Sequence, residues 1–114
     1  MPRQEKQFFV YLLASSKNGT IYLGVTSDLP QRIWQHKNKL AGGFTQKHGV
    51  DRLVWCEACP DAESAILREK QLKKWNRDWK IRLIETDNPD WLDLAETVLG
   101  FEAQHMPGFP PARE

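Results

Sequence analysis

The chain has 114 residues, enough for one domain with a single core and too few for two. With 40% hydrophobic and 27% charged residues it has the composition of an ordinary globular protein, and no apolar run approaches the ~20 residues that a membrane helix needs. Its net charge of +1 hides an asymmetry: residues 1–82 carry 15 Lys/Arg against 8 Asp/Glu, whereas residues 83–114 carry 1 against 7. A basic body suits a polyanion such as nucleic acid, although solvated helix faces account for the charge equally well.

The polar start, Met1-Pro2-Arg3-Gln4-Glu5-Lys6, leads directly into a strand without a signal-peptide apolar region, so the expected location is cytoplasmic. Residues 8–13 are continuously apolar and read as a strand buried on both faces. The Asn18-Gly19 pair favours positive φ in a tight turn, which predicts a hairpin with residues 21–25 returning antiparallel. Tyr11 and Tyr22 then lie on neighbouring strands, and register decides whether they share a face.

Asp28, followed by Pro30 and Gln31, predicts a capped helix running to about residue 40, with Leu29, Ile33 and Leu40 as its buried stripe. Arg32 and His36 are four residues apart and project from one side of that helix. Lys37 and Lys39 add charge nearby. Residues 41–49, rich in glycine and including Lys47, read as a loop able to fold over a ligand. Residues 52–58 alternate as a third strand, and Pro60-Asp61 ends it and caps a helix from 62 to about 76.

That helix holds an anomaly. Ala62, Ala65, Ile66, Leu72 and Asn76 follow core-facing spacing, yet Glu69 falls in the middle of the stripe. An unpaired buried carboxylate costs several kcal/mol, so Glu69 is expected to meet a metal, a cleft open to water, or a cation such as Arg32. Arg68, Lys70, Lys73, Lys74, Arg77, Lys80 and Arg82 make this region cationic. Trp75 and Trp79 lie among them and, at a spacing of four, are expected to form a ridge against the core rather than a base-stacking surface. Asn88-Pro89-Asp90 is expected to start a last helix through residue 99, and residues 100–114 read as an irregular tail.

The run Trp55-Cys56-Glu57-Ala58-Cys59 imitates a thioredoxin-type site, but Cys56 falls inside a strand instead of at a helix N-terminus, where the dipole lowers a thiol pKa. No second Cys or His pair has zinc-finger spacing, so both thiols are expected to be reduced and inert.

Taken together, Tyr11-Leu12-Leu13, Tyr22-Leu23-Gly24, Val25-Thr26-Ser27-Asp28-Leu29, Arg32, His36, the Phe44-Thr45 segment with Lys47, the run from Arg68 to Trp75, and Asn88-Pro89 with Trp91 resemble the GIY-YIG endonuclease superfamily, in particular its small single-domain bacterial members. The likeness spans about residues 8–95. It departs from the pattern in lacking the first glycine and isoleucine of the first element and in placing Val25 where some repair enzymes carry a lysine. The resemblance implies an α+β fold with a small three-stranded antiparallel sheet flanked by helices, ordered β-β-α-β-α-α with a C-terminal helix, in a nuclease domain of residues 1–99. It also implies metal-dependent cleavage of DNA in repair or recombination. Glu69 would be the sole protein ligand of Mg²⁺ or Mn²⁺, Arg32 would contact the scissile phosphate, and Tyr11, Tyr22 and His36 would position and deprotonate water. DNA would be held by Lys37, Lys47, Arg68, Lys73, Lys74 and Asn88. A chain this short lacks an appended DNA-reading module, so choice of substrate would rest on DNA structure or on a protein partner, and a monomer is expected. The rivals are a non-catalytic nucleic-acid-binding module of the same fold and an interaction domain whose acidic tail occupies the basic surface.

Overall fold

In the computed structural model the described residues are 7–38 and 43–95, without the side chains of Phe44 and Thr45. The elements run β1 (Phe8–Ala14), β2 (Ile21–Thr26), α1 (Leu29–Lys37), α2 (Gly43–His48), β3 (Arg52–Cys59), α3 (Ala62–Lys73) and α4 (Arg77–Asp87). The strands form one antiparallel sheet in the order β2-β1-β3, so the α+β architecture is the expected one. β1 is central because its side chains are apolar on both sides, and Val10 to Ala14 are all buried.

The hairpin turn closes through the Gly19 N–H donating to the Ser16 carbonyl at 2.9 Å and the Ser15 N–H to the Thr20 carbonyl at 3.0 Å. Only Asn18 of the Asn-Gly pair takes a positive φ, 59°, a conformation its short polar side chain tolerates. Arg77 of α4 donates to the Asn18 and Gly19 carbonyls, both at 2.8 Å, and ties the turn to the helical layer.

Register sets Tyr11 opposite Gly24 and Leu13 opposite Tyr22. Alternate residues share a face, so both tyrosines lie on the same side of the sheet. Helix α1 covers that side with Leu29 and Ile33, while α3 and α4 cover the other with Ala65, Leu72 and Ile84 against Val10, Leu12 and Ala14.

Three caps set the helix starts: Asp28 accepts from the Gln31 N–H at 3.2 Å, Asp61 from Ser64 at 2.8 Å and Asn76 from Trp79 at 2.9 Å. Asn76 therefore opens α4 instead of lying within α3, which is why α3 is shorter than its apolar spacing suggested. Residues 43–48 are helical where a loop was expected.

Asn88 also differs from expectation. It is the C-cap of α4, and its buried amide donates to the Val54 and Leu92 carbonyls at 3.2 and 2.9 Å and accepts from the Leu92 N–H at 2.9 Å. Residues 89–94 consequently turn back over the sheet as a non-helical strap anchored by the fully buried Trp91, whose indole donates to Glu85 at 2.6 Å. Asp93 and Leu94 close the outer edge of β3 at Leu53, with bonds of 3.2 and 2.7 Å. β2 forms the opposite edge of the sheet. Ala95 is helical, and the rest of the expected last helix, the tail and Leu40 lie outside the described residues. No helix among the described residues is long and apolar enough to cross a membrane.

Candidate active site

The site begins with a glycine. A Cβ on Gly24 would fall 2.5 Å from the Cζ and hydroxyl of Tyr11, so the buried phenol can cross β2 only where no side chain stands. The Tyr11 ring then meets Tyr22 and His36 at centroid separations of 6.4 and 6.0 Å, and Tyr22 lies 5.6 Å from His36. The Tyr11 hydroxyl is 3.3 Å from His36 Nε2.

Arg32 sits one turn before His36 on α1, and its positive charge acts on both Tyr11 and His36. Gln35 steadies it by accepting from Arg32 Nη1 at 3.0 Å. A neutral His36 with its proton on Nδ1 can accept the Tyr11 O–H at Nε2.

Electrostatics agree with that assignment. Burial pushes the Tyr11 phenol up, and Arg32 offsets this only in part, so Tyr11 is protonated at neutral pH. Burial, and then the Arg32 charge, lower His36 to about 4. At neutral pH the cluster therefore holds a neutral imidazole beside a protonated phenol.

Glu69 approaches from the other side of the sheet. It projects from α3 at the outer edge of β2 and lines a cleft of about 540 Å³ with Tyr22, Gly24, Val25, Lys73 and Lys80. Its charge is one of those that raise the Tyr11 pKa, so the two halves are in electrostatic contact across the strand. Tyr11, Tyr22, Arg32, His36 and Glu69 converge on β2.

The carboxylate on the apolar stripe has a plain physical account. Ala65 and Leu72 are buried as expected, but Ile66 is exposed, and Glu69 lies on the flank of α3 that opens to the cleft, with 22% of its side chain exposed. Its Oε2 is 3.5 Å from Lys73 Nζ, an ion pair one turn along the helix rather than one with Arg32. The ammonium of Lys80, half-buried in the same cleft, has no hydrogen-bond or ion-pair partner among the described residues.

No group of three or more His, Cys, Asp or Glu among the described residues gathers in metal-binding geometry. The donors at β2 are a single carboxylate and a phenol, hard oxygen ligands that suit Mg²⁺ or Mn²⁺ retaining water and taking phosphate oxygens, and not a closed zinc site.

The cations expected to hold DNA divide. Lys73 lines the cleft, Lys74 is exposed at the end of α3 and Lys47 is exposed on α2. Lys37 instead bonds Asp93 and donates to the Asp51 carbonyl at 3.1 Å. Arg68 lies on the other flank of α3, 3.3 Å from Glu57, with its guanidinium 6.0 and 5.6 Å from the Trp55 and Trp75 rings. Both amide hydrogens of Asn88 are used inside the strap. Lys37, Arg68 and Asn88 are thus engaged in holding the fold together.

Sequence reasoning missed Gly24 as a packing requirement, Gln35 and Lys80. Gly24 was visible as the end of the Tyr22-Leu23-Gly24 triplet, but its clash partner emerges only from register. Cys56 pairs with Tyr11 and Cys59 with Phe8 across β1, so the two thiols face opposite sides of the sheet, and burial raises both.

A three-stranded α+β domain that gathers phenols, a guanidinium, an imidazole and a carboxylate at one strand has the construction of a phosphodiester hydrolase. Residues 7–82 match the model of the GIY-YIG catalytic domain. The chain is 33% identical over 78 residues to the UPF0213 protein CPE1444 of Clostridium perfringens, covering 68% of this chain and 83% of that one. It is 34% identical over 76 residues to the UPF0213 protein BH0048 of Halalkalibacterium halodurans, covering 67% and 80%. The solution NMR structure of the UPF0213 protein BH0048 from Bacillus halodurans aligns with a TM-score of 0.49 at 28% identity, covering 81% of this chain and 97% of that one. The chain belongs to the GIY-YIG family, whose catalytic domain is a nuclease fold.

Proposed function

We propose that this protein is a divalent-metal-dependent endonuclease that cleaves DNA, selecting it by structure or through a protein partner, in cytoplasmic repair or recombination. The observation that carries this reading is the Tyr11 hydroxyl at 3.3 Å from His36 beside β2, with Arg32 one turn away on α1 and Glu69 facing the same strand from the other side. Glu69 holds the metal, with water and phosphate oxygens as the remaining ligands. Bound there, the ion supplies Lewis-acid stabilisation of charge on the phosphate.

Arg32 holds the scissile phosphate and stabilises the charge that builds in the transition state. Tyr22, at the cleft wall, positions the attacking water. A proton leaving that water passes to Tyr11 Oη as the Tyr11 proton passes to His36 Nε2, so the phenol is never ionised. A bound phosphate offsets the Arg32 charge that depresses His36, which makes the imidazole a better base when substrate is present.

The test uses plasmid, nicked, branched and single-stranded DNA with Mg²⁺ or Mn²⁺. Metal-dependent products are expected, and Glu69→Gln and Arg32→Ala should each lower the rate by about 10²–10³-fold, with the thermal midpoint nearly unchanged for Glu69→Gln. Cleavage that survives both substitutions refutes the site. Salt-sensitive binding without products under any metal identifies the non-catalytic module instead.

A further inference from the structure

Trp75 and Trp79 do not form the ridge their spacing suggested. Trp75 packs against the core, but Trp79 is 51% exposed. The two indoles stand at 84° with centroids 5.7 Å apart. Together with Arg82, Leu83 and Thr86 they line a pocket of about 390 Å³. Nothing in the cleavage chemistry uses this pocket. A large exposed indole is unusual on a surface unless something covers it.

Charge and position indicate what that is. Arg82 lines the pocket with Trp79, so the exposed indole is presented beside a cation, while Arg68, paired with Glu57, stands 5.6 Å from the Trp75 ring. A flat ring tethered to an anion matches those surroundings better than an aliphatic side chain does. The cleft begins one residue away along α4. Lys80, the residue after Trp79, lines the Glu69 cleft, and so does Lys73, two residues before Trp75. The two concavities therefore occupy adjacent sides of the α3–α4 corner. Consecutive residues of α4 project about 100° apart, so a strand with one phosphate at Lys80 can turn its neighbouring base towards Trp79.

We propose that Trp79, with Arg82, is a stacking subsite for an unpaired nucleobase flanking the cleaved bond, so that the enzyme prefers single-stranded or splayed DNA to intact duplex. This rests on the cleft being the DNA site. An intact duplex keeps its base faces stacked on one another and has none to offer the indole.

The full chain carrying Glu69→Gln, which leaves DNA uncut, is titrated by fluorescence anisotropy against a labelled oligothymidylate and a blunt duplex of the same length. Adding Trp79→Ala is expected to weaken single-strand binding by about 5–100-fold, because a stacked base contributes ~1–3 kcal/mol. Duplex binding should stay within about twofold, and Trp79→Phe should restore most of the loss, since any aromatic face can stack. Equal losses on both DNAs, or none on either, overturn the subsite and leave the indole to a protein partner. A Phe variant as weak as the Ala variant overturns it as well. If the wild type cleaves and Trp79→Ala is indifferent, the subsite alone fails. If single-strand binding depends on Trp79 but the wild type never cleaves, the subsite stands and the nuclease reading fails.

Discussion

The two sides of the sheet are built on opposite principles. Under α1, polar groups are drawn together: a phenol 1% exposed, an imidazole 3% exposed and a half-buried guanidinium braced by Gln35. Under α3 and α4, the polar groups of the site remain in an open cleft, where Glu69 has one exchangeable partner in Lys73 and Lys80 has none among the described residues. The dry side restricts proton positions, because burial disfavours charge on the Tyr11 phenol and the His36 imidazole alike. The wet side remains free to take up ions and phosphate. β2 joins the two, and its glycine is the point of contact.

That junction is the most sensitive place to break. Gly24→Ala pushes a methyl group into the Tyr11 ring, which is packed too tightly to move aside. We expect a loss of about 1–3 kcal/mol in stability from overpacking. Cleavage should fall by about 10²-fold, since displacements near 1 Å have effects of that order on positioned groups. Chemical denaturation and single-turnover cleavage measure the two separately. If Gly24→Ala matched the wild type in both, β2 would not be the hinge of the site.

A second substitution isolates the dry side. His36 has an unfolded pKa near 6.5 and a folded value of about 4, so between them the unfolded chain takes up a proton that the folded protein does not. The stability that follows is fully present above about pH 6.5 and is lost as pH falls towards 4, on the order of 3 kcal/mol in all. His36→Gln, neutral throughout, should remove that share of the acid dependence from the urea midpoint. An identical slope in both proteins between those pH values would mean that His36 is not held neutral by the fold.

The contrast between the sides also explains what the sequence reveals. The hairpin, the Asp28 and Asp61 caps and the central strand follow from local chemistry and were legible residue by residue. So was Glu69, since a carboxylate within an apolar stripe violates a local pattern. The Tyr11–His36 bond and the Gly24 clash depend on register, which no single segment specifies. Asn88 misled because its amide can cap a following helix or pin a strap, and the choice is made by Val54 and Leu92 across the fold. Trp79 misled because a spacing of four does not state which side of a helix has a neighbour. Lys37 and Arg68 looked like surface charges, and their partners Asp93 and Glu57 lie 56 and 11 residues away.

The smallest expected effect sharpens the wet side. The Lys80 ammonium is half-buried without an ion-pair partner among the described residues, a position that an incoming phosphate would satisfy. Lys80→Gln keeps most of the stem and removes the charge, so the fold should hold. Affinity for DNA should weaken about fivefold at moderate salt, and the slope of log affinity against log salt should become shallower by about 0.7–0.9, the share of one phosphate contact. Lys80→Arg should recover the slope. Because Lys74 is exposed and lies outside the cleft, Lys74→Gln provides the comparison at the same formal charge. Equal changes for the two glutamine variants would reduce Lys80 to one of many diffuse surface cations, whereas a larger change at Lys80 ties the phosphate to the cleft that Glu69 lines.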